Sequence, residues 1–241
     1  MALTYLTISL GNLVLLAVLM KFMAARLVTT NQTIWRTPAL LSTNTSRPTW
    51  ISLLLHQLLF FILFFLYLGA LRLTDFTYEI WWQRLSAAPL VWFTTEWLGA
   101  SLLILFGRPR LTSLIHREPW KAASISAFWG QRWNRWVSPW LGMMAGALTK
   151  SITGRICWAF TLSGLVHELL FNLPFHYFTG IAYYGNMMIF FCLHGLLTLV
   201  DRYWLRTLPS LWRRIWLWAC LVLTVPIFLE RPGLYFFGLF S

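Results

Sequence analysis

Residues 156–173 read ICWAFTLSGLVHELLFNL, and the reading of this stretch decides what kind of molecule the chain makes. As a helix rising about 1.5 Å per residue, it is long enough to cross most of a hydrocarbon core about 30 Å thick. Yet His167 and Glu168 stand side by side well inside it. The rest of the sequence shows which solvent it meets. Of the 241 residues, 59% are hydrophobic and only 11% are charged, where a soluble domain carries about 25% charge. That balance excludes a disordered chain, a coiled coil and an ordinary soluble globule. It leaves an all-α polytopic transmembrane helical bundle. Further apolar runs at 3–22, 50–71, 87–106, 181–200 and 215–229 bring the expected number of spans to about six. No run shows sustained period-2 alternation, which argues against membrane strands. There is no internal repeat and no linker, so residues 1–241 are expected to form a single transmembrane domain. The run 3–22 has no basic residue before it and no small-residue cleavage site near its end, and it reads as a retained span.

The net charge of +12, from 19 basic and 7 acidic residues, follows the topology rather than pointing to nucleic acid. Sixteen of the basic residues fall in three segments, 23–49 (with Lys21 at its edge), 107–155 and 201–214. Placing all three on the cytoplasmic side satisfies the positive-inside rule and puts both termini on the other side. Segment 107–155 is then one cytoplasmic-side stretch, partly amphipathic and partly re-entrant. Non-helical backbone at that depth is tolerated only where it lines a cavity. The sequons at Asn31 and Asn44 fall on the cytoplasmic side and are expected to stay bare. Tryptophans near span ends (Trp50, Trp81, Trp82, Trp204, Trp212) suit an interfacial belt. Cys157, Cys192 and Cys220 lie in apolar runs without ligand spacing and read as small buried hydrophobes.

Ionisable groups inside spans are costly and are the first candidates for function. They are His56, Glu96, His167, Glu168 and His194. Ser163 lies four residues before His167 and shares its helix face. Gly164 thins the helix there. Glu168 points about 100° away and needs a partner of its own. On spacing alone, catalysis and a polar helix–helix contact are evenly matched. A second cluster, Phe128-Trp129-Gly130-Gln131-Arg132-Trp133-Asn134-Arg135-Trp136, forms a tryptophan stripe on a helical wheel, with Trp129, Trp133, Trp136 and Trp140 together. On the pattern alone, an interfacial helix is favoured over a cavity wall carrying Asn134.

Taken together and in order, FWGQRWN (128–134) and SGLVHE (163–168) resemble the two signature motifs of the membrane-bound O-acyltransferase family, most closely its wax synthase-like branch. The approach Pro119-Trp120-Lys121-Ala122-Ala123-Ser124-Ile125-Ser126 is similar as well. So are the 33-residue separation of Asn134 from His167 and the downstream Phe190-Phe191-Cys192-Leu193-His194-Gly195. The resemblance implies an enzyme that transfers an acyl group from acyl-CoA to the hydroxyl of a lipophilic alcohol within the membrane. It makes His167 the catalytic base and Asn134 its polar assistant. No metal is expected, since the histidines show no short ligand spacing. Acyl-CoA would be a cosubstrate rather than a bound cofactor. Candidate substrate contacts are Trp129, Arg132, Trp133, Ser163, Glu168 and His194, with Arg132 and Arg135 available to CoA phosphates. Glu96 is outside the motifs and stays open as a partner of His167, a substrate contact or an acid in other chemistry. That possibility supports the alternative of a terpenoid cyclase using a protonated Glu96 or Glu168 in an aromatic cavity. A non-catalytic lipid-binding or transport protein is the third reading.

Overall fold

The computed structural model of the chain describes residues 50–239 apart from 75, 78, 106–115, 135 and 136. The expected span 3–22, the segment 23–49 with its two sequons, and Arg135 and Trp136 lie outside the described residues. Among the described residues every regular element is helical. In chain order these are α1 (Trp50–Arg72), α2 (Trp81–Ser86), α3 (Ala88–Leu105), a 3-10 turn (Pro119–Lys121), α4 (Ile125–Ala127), a π turn (Phe128–Arg132) and α5 (Val137–Leu148). Beyond them lie α6 (Ile152–His167), a second π turn (Glu168–Asn172), α7 (Leu173–Thr179), α8 (Asn186–Tyr203), α9 (Ser210–Phe228) and α10 (Arg231–Phe236).

Three stretches among the described residues are long and apolar enough to cross a membrane: Leu54–Arg72, the continuous run Ile152–Thr179, and Ser210–Phe228. Helix α1 is apolar all round, the mark of a helix that meets lipid or protein on every side. Leu55, Leu58 and Leu66 on α1, Leu165 and Leu169 along α6, and Leu211 and Leu223 on α9 are all exposed. Such a surface would be an aggregation patch in water and is an ordinary surface in lipid. The stretches expected to span at 87–106 and 181–200 are α3 and α8, each 18 residues long. α9 begins at Ser210, five residues earlier than expected, and carries Pro226 in its last turn, where the missing N–H costs little continuity. Cys157 is exposed rather than buried, because it sits on the outer face of α6; Cys220 is buried.

α6 packs chiefly on α8, and α1 on α3; α5 lies along α6, and α9 along α8. The α6–α8 packing rests on two glycines. A Cβ on Gly164 would lie 2.8 Å from Met188 Sδ and 3.2 Å from the Met188 Cα, and one on Gly195 would lie 3.2 Å from Phe160 Cβ. Each helix is therefore thinned where the other presents bulk, the small-residue packing used within membranes. Beside it, the carboxylate of Glu168 closes the end of the pair. Oε1 accepts from the backbone N–H groups of Gly185 (3.0 Å) and Met188 (3.1 Å), so this carboxyl oxygen caps the start of α8. Oε2 accepts from Asn172, whose amide also donates to Asn186 Oδ1 at 2.6 Å.

Gly164→Ala should push Met188 and the α8 backbone aside and cost about 1–3 kcal/mol, the usual range for overpacking. The measurement is thermal unfolding of the detergent-solubilised protein. Met188→Ala in the same chain should restore only part of the loss, because the clash with the α8 backbone at position 188 remains.

Candidate active site

The two segments singled out in the sequence meet at one cavity of about 980 Å³. His167 and Ser163 from α6 line it, as do Trp129, Gly130, Trp133 and Asn134 from the first π turn and the residues after it. Phe160, Phe171, Phe190, Phe191 and Phe228 supply aromatic wall.

At His167, Nδ1 lies 2.7 Å from the carbonyl oxygen of Ser163. A carbonyl only accepts, so Nδ1 carries the proton and Nε2 keeps its lone pair. Nε2 has no hydrogen-bond partner among the described residues. The ring packs against Phe191, Phe171 and Phe228, with centroids 4.3, 5.9 and 5.7 Å away. Ser163, expected to share a face with His167, acts through its main chain.

Asn134 sits where the chain breaks between two helical pieces. The π turn closes with Trp133 N–H donating to Phe128 O at 2.7 Å. Trp133 is then extended, and Asn134 is left-handed at φ 42°. Asparagine adopts that region more readily than most residues. The Asn134 carbonyl accepts from Val137 and Ser138 and so starts α5. The tryptophan stripe expected of one continuous helix therefore does not form, because the break at 133–134 re-aims the chain from there on. Asn134 Oδ1 is buried and has no partner among the described residues.

A histidine without any mark in the sequence pattern lies behind Asn134. His116 Nδ1 accepts from the Asn134 backbone N–H at 2.9 Å. Its Nε2 therefore bears the proton and donates to Thr95 Oγ1 at 2.8 Å, while the Thr95 hydroxyl donates back to carbonyls of α3. The ring lies on Trp133, centroids 4.1 Å apart. Burial pushes its pKa down to about 4, against an opposing pull from Glu96.

The other expected site residues divide. Trp129 faces the cavity, while its Nε1–H donates to His194 Nδ1 at 3.1 Å. His194 is fully buried, and its Nε2–H donates to Thr224 Oγ1 at 2.8 Å, which in turn donates to the Cys220 carbonyl. Both ring nitrogens of His194 are committed, and the residue supports Trp129 from behind. Arg132 is turned away from the cavity: its guanidinium donates to the carbonyls of Arg117 and Glu118, both at 3.1 Å. Among the described residues the cations that line the cavity are Arg155 and Arg202, both exposed. Glu96 is buried against His56, 3.1 Å away, and not against His167. Glu168 is spent on the cap of α8. Among the described residues no carboxylate lines the cavity, so the acid a cyclase needs is not brought to it.

Comparison with known proteins agrees with the motifs. Residues 112–193 match the model of the membrane bound O-acyl transferase family. A protein of Simmondsia chinensis named long-chain-alcohol O-fatty-acyltransferase is 36% identical over 95 residues, covering 35% of this chain and 26% of that protein. An Arabidopsis thaliana protein named probable long-chain-alcohol O-fatty-acyltransferase 3 is 28% identical over 186 residues, 65% of this chain and 51% of its own length. A second from that plant, named probable long-chain-alcohol O-fatty-acyltransferase 7, is 30% identical over 95 residues, 35% of this chain and 27% of its own length. No solved structure matches. The segment bearing FWGQRWN and SGLVHE is thus similar to the membrane-bound O-acyltransferase family, and within it to the wax synthase-like branch. The chain spans between about a quarter and a half of the length of these curated relatives.

The buried His116 gives a pH signature. Its pKa is about 4 in the fold against 6.5 in an unfolded chain, so the unfolded state binds the extra proton first. Its contribution to stability should be complete above pH 6.5 and should drain away as pH falls toward 4. Melting temperatures measured from about pH 7.5 down to about pH 4.5 should fall less steeply for His116→Asn than for the parent chain.

Proposed function

We propose that this chain transfers an acyl group from acyl-CoA to the hydroxyl of a lipophilic alcohol inside the membrane. The observation that carries the proposal is one imidazole with its Nδ1–H committed to Ser163 and its Nε2 open, in the same apolar cavity that Asn134 lines. The names of the relatives point to the same chemistry.

In this reading His167 Nε2 takes the alcohol proton as the alcohol oxygen bonds to the thioester carbonyl carbon. The tetrahedral intermediate collapses, the C–S bond breaks, and the imidazolium returns its proton to the leaving CoA sulfur. General base catalysis of this kind contributes typically about 10²–10⁴-fold. The Asn134 side-chain N–H groups offer hydrogen bonds to the developing oxyanion. The aromatic walls hold the acyl and alkyl chains by burial and exclude water, which would otherwise compete as the acceptor. Arg155 and Arg202 can meet CoA phosphates, a role Arg132 is too engaged to take. Trp129 and Trp133 shape the chamber, and His194, Glu168 and Glu96 serve it from behind by fixing helices.

The six-span topology belongs to the same proposal. The basic segments lie on the cytoplasmic side, where CoA is soluble. Segment 107–155 dips in from that side, and both termini lie opposite. The whole chain forms one transmembrane domain. The broken, partly non-helical path through 116–134 supports this, since such backbone belongs beside a cavity.

Membranes containing the chain, given labelled acyl-CoA and a panel of long-chain alcohols, should form ester. His167→Ala should lower kcat by about 10²–10⁴-fold, and Asn134→Ala by about 10²–10³-fold. Glu96→Gln should retain most activity. Full activity in His167→Ala would end this mechanism, and product formed without an acyl donor would restore the cyclase.

A further inference from the structure

We infer that His116 is a positioning residue for Asn134, holding its amide toward the reacting carbonyl through the main chain rather than by touching substrate. The inference rests on the acyl-transfer reading for what the amide does there; the hold itself is geometric. His116 does not line the cavity, so it acts through another group.

Three observations converge on it. Asn134 is one of two described non-glycine residues with positive φ. Asparagine visits that region more readily than most residues, yet it has other conformations open to it, and a main-chain hydrogen bond selects this one. The residue comes after a π turn that ends at Arg132 and before a helix that begins at Val137, so no helical carbonyl is in register to take its N–H. His116 Nδ1 takes it instead, at 2.9 Å. Finally, the imidazole is itself fixed on both sides: Nε2–H is bonded to Thr95 on α3, and one ring face lies on Trp133. A buried ring anchored to a second helix thus fixes the φ of a residue that lines the cavity. Arg132 secures the same arm by gripping the carbonyls of Arg117 and Glu118, and Arg117 N–H donates back to Arg132 O.

The test uses the full chain in membranes and in detergent. His116→Leu removes the acceptor, whereas His116→Asn can place Oδ1 near the position of Nδ1 and keep it. His116→Leu should lower kcat about tenfold to a hundredfold, the scale of a 1 Å misplacement, with KM for the alcohol within about twofold. His116→Asn should stay within about fivefold of the parent, and His116→Leu should add less than about twofold to Asn134→Ala, because coupled residues are not additive. A His116→Leu enzyme with parental kcat overturns the inference. So does a His116→Asn enzyme as impaired as His116→Leu, or a full multiplicative loss in the double variant.

Amide hydrogen exchange at residues 131–134 is the second readout and needs no turnover. Protection should be lost in His116→Leu and kept in His116→Asn; protection kept in His116→Leu overturns the inference. Should His116→Leu not fold, Thr95→Val, which frees only the far side of the ring, should show the same changes in lesser degree, and parental behaviour overturns it. A parent chain that forms no ester defeats the acyl-transfer reading alone, and the exchange experiment still decides whether His116 holds Asn134.

Discussion

His167 is set among phenylalanine rings, and its one polar partner among the described residues is the Ser163 carbonyl, 2.7 Å from Nδ1. The bond does more than orient the ring. It decides which nitrogen carries the proton, and so leaves the other as a lone pair facing a cavity. A carbonyl on the histidine's own helix, one turn back, provides the hold that a carboxylate provides in a Ser-His-Asp triad. It brings no charge into the low-dielectric site, where an ion would be costly. The neighbouring Glu168 has a carboxyl group, but its oxygens are filled by the start of α8 and by Asn172. The paired His and Glu thus divide the work: one side chain faces the cavity and the other locks the helices that form it.

Both signature segments contain a π turn, FWGQR at 128–132 and ELLFN at 168–172. A π turn inserts one extra residue and rotates the chain beyond it, and such turns recur at functional sites. In the first segment the rotation ends the helix and leaves Asn134 in a left-handed conformation that an ordinary helix would not permit. In the second it comes directly after His167 and turns the chain toward Asn172, which reaches the Glu168–Asn186 network. The first interruption thus brings Asn134 to the cavity and the second brings Glu168 and Asn172 to the network that locks the helices, while His167 reaches the cavity from the end of α6.

Much of this was legible in the sequence for simple reasons. Composition alone demands lipid, and the run around SGLVHE has the length of a span. Gly164 announces a close approach, and Met188 makes it. Glu168 needed a partner and has several. The helical wheel failed at FWGQRWN because periodicity assumes an unbroken helix, and neither the π turn nor the left-handed Asn134 leaves a mark in hydrophobic spacing. His116 was missed because it lies in a basic loop, 18 residues from Asn134, where a histidine has no intramembrane cost to draw attention to it. Arg132 looked like a phosphate ligand because its charge is visible in sequence and its two carbonyl partners are not. Glu96 and His56 each stood out as costly, and the structure pairs them with each other.

The most direct measurement is a cryo-EM structure of the protein with a bound long-chain ester. The expected result is an ester carbonyl between the two motifs, its oxygens about 3 Å from His167 Nε2 and from the Asn134 amide, with both chains lying along the phenylalanine walls. An ester bound elsewhere, or protein packed between His167 and Asn134 so that no single carbonyl reaches both, would contradict it.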